Sequence, residues 1–215
     1  MSFEPPPSPL SSPSPLSPPS SVSPPSSVSP SSPSPLSPPE MVNAGELVLK
    51  RWELAWAPET LAAIRESLPE LREFLPWATD AYNLDDMHDY LTRSREGWDE
   101  GDQFNYAIFT SVGELVGSIG LMTRMGPGVL EIGYWTRSPY AGRGFMTAAV
   151  RALTRMALTL DGIERVAIKH DVANKASAAV AIKAGFAEVR REGHVPAAPG
   201  ETEVTVVREF ARDAT

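Results

Sequence analysis

The chain contains no cysteine, which excludes disulfides, thiolate-ligated zinc and a cysteine nucleophile. Its three histidines, His88, His170 and His194, are not at metal-ligand spacing, so no metal site is expected. No window approaches the roughly 18 apolar residues that span a bilayer. The N-terminus lacks the basic and apolar regions of a secretion signal, so a cytoplasmic protein with no membrane partner is expected. Basic residues are also short, 19 Lys and Arg against 27 Asp and Glu, for a net charge of −8. Such a chain repels phosphate backbones, and nucleic acid is not an expected partner. A cationic ligand would be electrostatically welcome.

What the chain does contain is unevenly spread. Residues 1–39 hold 15 of the 22 prolines and 16 serines, and Ser11-Ser-Pro-Ser-Pro-Leu-Ser-Pro-Pro19 recurs unchanged as Ser31 to Pro39. Such a stretch has little to bury, and its prolines favour polyproline II. A disordered leader over residues 1–40 is expected, with one domain over 41–215. Met41 is a candidate translation start, because the globular pattern begins just after it.

Within that domain, Leu47–Trp52 reads as a strand. Thr60–Ser67 reads as a helix entered through Pro58 and stopped by Pro69. Leu71–Ala78 reads as a turn or short helix. Leu84–Trp98 places Leu84, Met87, Tyr90 and Leu91 at helical spacing, opposite an acidic face of Asp85, Asp86 and Asp89. Strands at Phe104–Phe109, Leu115–Met122 and Val129–Thr136 are separated by short glycine-containing turns, which favours an antiparallel meander. From Phe145 the period changes to helical, with Met146, Ala149, Val150, Leu153, Met156, Ala157 and Leu160 on one face. Val166–Ile168 is a strand, Asn174–Ala184 a helix capped by Gly185, and strands near Glu188–Arg190 and Val204–Phe210 finish the chain. The expected order is βααβββαβαββ, an α/β fold with a mixed, mainly antiparallel sheet.

The segment that carries chemistry is Glu131-Ile-Gly-Tyr-Trp-Thr-Arg-Ser-Pro-Tyr-Ala-Gly-Arg-Gly-Phe-Met-Thr147. A strand runs into Gly142-Arg143-Gly144, and a long helix opens directly after it. A first helical turn has unpaired amides and the positive end of the dipole, and glycines let backbone approach an anion. The combination suits a phosphate or pyrophosphate, and it equally suits a plain strand-to-helix turn. A dinucleotide-binding Rossmann domain is disfavoured, because the glycines follow an antiparallel meander and no acidic ribose partner stands about 20 residues on.

One helix and one strand downstream lies Asn174-Lys-Ala-Ser-Ala-Ala-Val-Ala-Ile-Lys-Ala-Gly-Phe186. With this second block the chain resembles the GNAT superfamily of N-acetyltransferases, and within it the RimJ/RimL-like ribosomal-protein acetyltransferases. The matching pieces are Glu131–Trp135, Gly142–Phe145, Asn174-x-x-Ser177 with Lys183–Phe186, and Leu71-Arg-Glu-Phe-Leu-Pro-Trp77. The resemblance covers roughly residues 45–210. The family's loop usually reads Gln/Arg-x-x-Gly-x-Gly/Ala, and here its first position is Pro139, so one side-chain contact is missing while the backbone amides remain.

The resemblance implies direct acetyl transfer from acetyl-CoA to an amine acceptor in a ternary complex, with no metal, by a monomer or homodimer. It implies that strand 129–136 splays from strand 166–170 and that pantetheine lies in the gap beside Tyr134, Trp135 and Thr136. Pyrophosphate would sit on the amides of Arg143, Gly144, Phe145, Met146 and Thr147. An amide near Tyr134 or Trp135 would polarise the thioester. Ser177, with Asn174, would stand near the CoA thiol and assist the leaving thiolate. Glu131 is the first candidate for the base, and His170-Asp171 is the alternative. Trp77, His88 and His170 are candidates for the acceptor side, with a solvated face as the other reading of His88. A non-catalytic acyl-CoA-binding module remains the alternative to an enzyme.

Overall fold

The computed structural model describes residues 36–212. Most of the expected leader, residues 1–35, lies outside the described residues. Its last five residues belong to the folded body. Leu36 packs against the main core cluster. The Tyr106 hydroxyl donates to the Pro39 carbonyl at 2.9 Å. Glu40 pairs with Arg51 at 2.9 Å.

The chain then makes a hairpin, β1 (Met41–Ala44) and β2 (Leu47–Arg51), around Gly45-Glu46. Gly45 at φ 73° supplies the positive dihedral that a two-residue hairpin turn requires. Three helices follow: α1 (Ala57–Glu66), the single turn α2 (Leu68–Leu71) and α3 (Leu84–Glu100). Pro69 falls in the first turn of α2 and so helps to start a helix where a stop was expected. Asn83 caps α3, accepting from the amides of Asp85 and Asp86, while Asp86 reaches back to the Asn83 amide at 2.9 Å.

The meander β3 (Gln103–Thr110), β4 (Leu115–Met122) and β5 (Val129–Thr136) leads into α4 (Phe145–Ala157). β6 (Arg165–Asp171), α5 (Lys175–Ala184), β7 (Ala187–Gly193) and β8 (Val204–Ala211) complete the fold. The eight strands form one sheet in the order β1-β2-β3-β4-β5-β6-β8-β7. Neighbouring strands are antiparallel except β5 and β6, which run parallel because α4 crosses between them. The order therefore adds β1 and α2 to the expected pattern. Two cores cover the sheet: α4 and α5 contribute Met146, Ala149, Val150, Leu153, Ala157 and Ala181 to one, and α1 and α3 contribute Ala57, Ile64, Met87 and Leu91 to the other. Among the described residues no helix is long and apolar enough to cross a membrane, and no group of three or more acidic or histidine side chains could hold a metal ion.

Candidate active site

The parallel register of β5 and β6 ends at Ile132↔Ile168. Beyond it, Gly133–Thr136 stay paired only to β4, and Lys169–Asp171 only to β8. The sheet opens between them. A cleft of about 970 Å³ occupies the opening, reaching the loop before α4 on one side and the start of α5 on the other.

Gly142 at φ 75° and Gly144 at φ 82° shape that loop. A Cβ built on either glycine meets no atom within 4 Å, so the backbone there faces open space. Gly144 is the N-cap of α4 and brings no capping side chain. The first helical bond runs from Ala148 N to Gly144 O at 3.0 Å, which leaves the amides of Phe145, Met146 and Thr147 without a helical partner. Gly144, Phe145, Met146 and Thr147 all line the cleft. Anion-binding geometry at the end of the opened strand is therefore present. The Arg143 guanidinium sits over the Tyr140 ring, 5.4 Å from its centre.

Asn174 caps α5, its Oδ1 accepting from the Ser177 amide at 2.9 Å. Ser177 Oγ lies 2.9 Å from the Tyr134 hydroxyl, which also donates to the Ser177 carbonyl at 3.2 Å. This pair bridges the cleft from β5 to α5. Burial pushes the Tyr134 phenol up to about 12, with the Ser177 hydrogen bond pulling the other way, so the phenol keeps its proton at neutral pH.

The base candidates are engaged elsewhere. Glu131 is buried, and both of its oxygens accept from Arg124, Nε at 2.9 Å and Nη2 at shorter range. Glu131 thus anchors Arg124 at the lining of the cleft, with each of its oxygens accepting from that guanidinium. His170 is also buried. Its Nδ1 donates to the Asp171 carbonyl at 2.8 Å and its Nε2 accepts from Arg208 at 3.2 Å. Burial lowers the His170 pKa, so the ring is neutral with both nitrogens in use. The Asp171 carboxylate takes the amides of Ala173 and Thr202, at 2.7 and 2.8 Å. His88 is exposed on α3 and lines neither cavity.

Trp77 belongs to a second chamber of about 390 Å³, between the sheet and helices α1 and α3. Its floor is a cross-strand row in register, Asn105↔Gly120↔Gly133. Two glycines in that row remove the side chains that would fill the space. Rings of Trp52, Trp77, Tyr82, Tyr90 and Trp135 wall the chamber. Cleft and chamber share Gly133, Tyr134 and Trp135, with Leu75 and Arg124 beside them. Asn105, Gly120 and Arg124 carry no motif or spacing that marks them, and Tyr90 is legible only as part of an apolar helix face. The one available signal was the concentration of tryptophan and tyrosine in the first half of the domain.

No curated protein sequence matches this chain. Solved structures do match its fold. The microcin C7 self-immunity acetyltransferase MccE, in complex with acetyl-CoA and AMP, superposes with a TM-score of 0.74 at 20% identity, covering 80% of this chain and 97% of that one. RimL, the ribosomal L7/L12 α-N-protein acetyltransferase in complex with coenzyme A, gives 0.73 at 22% identity, covering 82% and 100%. RimJ of Mycobacterium smegmatis, in complex with CoA-disulfide, gives 0.70 at 19%, covering 83% and 87%. Residues 46–187, well over half of the chain, match the acetyltransferase (GNAT) domain family. The chain therefore belongs to the GNAT family of acetyl-CoA-dependent N-acetyltransferases.

Proposed function

We propose that the protein transfers acetyl from acetyl-CoA in the β5–β6 cleft directly to a primary amine that enters through the aromatic chamber, either a small-molecule amine or a protein N-terminus. The observation that carries this reading is the junction at Gly133–Trp135, where a cleft ending on an uncapped helix meets a separate chamber over the glycine row. The amides of Arg143, Gly144, Phe145, Met146 and Thr147 hold the pyrophosphate. Gly133–Thr136 offer an unpaired strand edge to the pantetheine amides, and a backbone amide at Tyr134 or Trp135 polarises the thioester carbonyl, a type of donor that contributes roughly 3 kcal/mol in oxyanion sites. Ser177, held by Tyr134 and by its position after the Asn174 cap, delivers a proton to the departing thiolate. With Glu131 on Arg124 and His170 on Arg208, the amine reacts as the free base that is present in solution. A protein acceptor has precedent in the fold, since RimL is described as an α-N-protein acetyltransferase.

The test is CoA release from acetyl-CoA over a panel of amines, together with calorimetry on Gly142→Val. A β-branched side chain at φ 75° is strained and projects into the open space before α4. Acetyl-CoA binding is expected to be lost. Unchanged affinity refutes the assigned cradle, and binding without turnover of any amine identifies a non-catalytic acyl-CoA module.

A further inference from the structure

The chamber also carries information about what the amine is attached to. In a protein of net charge −8, no aspartate or glutamate lines it, while Arg93 and Arg124 do. Arg124 is neutralised by Glu131. Arg93, exposed on α3, has no hydrogen bond or ion pair among the described residues. One guanidinium without an ion pair among the described residues therefore lines a chamber that six aromatic residues also line. On the floor, Asn105 is more than nine-tenths buried, yet only its Nδ2 has a partner, Gln103 Oε1 at 3.3 Å. Its Oδ1 accepts from nothing among the described residues and occupies the space that a Cβ on Gly120 would take.

Each feature selects a property of the guest. Tilted and edge-on rings, such as Trp77 and Tyr82 with centres 5.4 Å apart and Trp52 and Tyr90 at 6.4 Å, favour a flat apolar body. A planar, unpaired guanidinium favours a carboxylate, which it can hold by two parallel hydrogen bonds. An amide oxygen that lines the chamber and accepts from no described residue favours an N–H. A polycation finds no carboxylate to meet its charges and is repelled by Arg93.

Resting on the transfer reaction above, we propose that the acceptor is a small aromatic amine carrying a carboxylate, an aromatic α-amino acid or a close analogue, rather than a polyamine or a basic peptide N-terminus. The lone pair of the free amine attacks the thioester carbonyl carbon. The C–N bond forms, the C–S bond breaks with its electron pair leaving on sulfur, and the proton lost by nitrogen ends on that sulfur. The products are an N-acetylated amino acid and CoA.

The experiment compares L-tryptophan with tryptamine, L-phenylalanine with 2-phenylethylamine, and both pairs with spermidine and a lysine-rich peptide. It is run at saturating acetyl-CoA with rates referred to the free-base concentration. The amino acids are expected to exceed their decarboxylated partners at least ten-fold in kcat/KM, with spermidine and the peptide below both. Arg93→Gln is expected to collapse the tryptophan-to-tryptamine ratio towards one through KM, and Arg93→Lys to restore part of it. Equal use of tryptophan and tryptamine, preference for spermidine or the peptide, a ratio insensitive to Arg93→Gln, or no turnover while calorimetry shows acetyl-CoA bound would each overturn this substrate class. Absence of acetyl-CoA binding would instead overturn the transfer reaction itself.

Discussion

Replacing Gly120 by alanine separates the chamber from the cleft. The methyl group would lie 2.0 Å from Asn105 Oδ1 and 3.1 Å from its Cγ, but 3.4 Å from the Asn105 Cα. The backbone contact is tolerable, so the β3–β4 register can survive. The amide contact is not, so Asn105 must rotate and release Gln103, to which it donates at 3.3 Å. Gly120 does not have a positive φ, and backbone strain adds nothing. Overpacking of this kind costs about 1–3 kcal/mol. At about 2–4 °C per kcal/mol for a chain of this size, melting should fall by roughly 2–12 °C. Gly120 lines the chamber and not the cleft, so the acetyl-CoA dissociation constant from calorimetry should stay within about two-fold, while kcat/KM for amines should drop at least ~10-fold, a change of about 1.4 kcal/mol in transition-state stabilisation. Gly133→Ala is the companion. Its Cβ meets only Met122 Cε, the far end of a flexible side chain, at 3.0 Å, so it should lose little stability and yet impair acceptor use. If both variants acetylate amines as well as the parent does, acceptors do not cross the glycine row and the chamber has another purpose.

Three further outcomes are expected. Ser177→Ala leaves Tyr134 its bond to the Ser177 carbonyl, so melting and acetyl-CoA affinity should hold while kcat falls by roughly 10²-fold if the hydroxyl supplies the proton; equal turnover would reduce Ser177 to a packing residue. Gly117, at φ 156°, places a virtual Cβ 2.2 Å from the Trp135 carbonyl oxygen, so Gly117→Ala should destabilise by about 2–4 kcal/mol, readable by urea unfolding, because backbone on both sides has to move. His170 has its pKa lowered by burial, from an ordinary value of 6.5. Between 6.5 and the lowered native value the unfolded chain binds the extra proton, so this contribution to stability is complete above 6.5 and is lost as pH falls. Urea unfolding at pH 7, 6 and 5 should show that decline, and His170→Gln should flatten it.

The parts of this molecule that were legible in the chain are those set by short-range pattern. The amphipathic stripe from Met146 to Ala157 and the glycines at 142 and 144 fix α4 and the loop before it, because helical period and positive φ are local requirements. His88 was harder to place, since Leu84, Met87 and Leu91 put it on the edge of an apolar stripe. The buried line of α3 runs through Met87, Leu91, Ser94 and Trp98, and at roughly 100° per residue His88 lies a quarter-turn round from Met87, towards solvent. The chamber was illegible for a different reason. Asn105, Gly120 and Gly133 are neighbours only through strand register, and a slip by one residue would turn each to the other face. Arg124 meets Glu131 across the β4–β5 turn, which no helical or strand period encodes. Composition marked Leu36–Glu40 as leader, yet one leucine side chain, a proline carbonyl and a glutamate give that segment a place on the fold.

The opening between β5 and β6 needs an account of its own, because two parallel strands that have already paired over four residues gain hydrogen bonds by continuing. What prevents this is that each strand is tied to its own flank. β5 exits into Arg137, which pairs with Glu66 of α1, and Ser138, whose amide donates to Ser67 Oγ at 2.9 Å and whose hydroxyl donates to Glu70 at 2.8 Å. β6 ends in His170 and Asp171, which are drawn to the opposite side. Arg208 of β8 donates to the His170 ring. Burial alone would raise the Asp171 carboxyl, but the amides of Ala173 and Thr202 and the Thr202 hydroxyl outweigh it and hold it below the usual carboxylate range. The His170-Asp171 pair, the alternative to Glu131 as base, is thus tied to the flank of β6 that faces away from β5. The separated edges keep backbone donors and acceptors that must find partners, and an exposed strand edge is a template for an added strand. On the proposed function a ligand arm bearing amides would supply those partners, and the same two flanks that hold the sheet open would then determine what enters it.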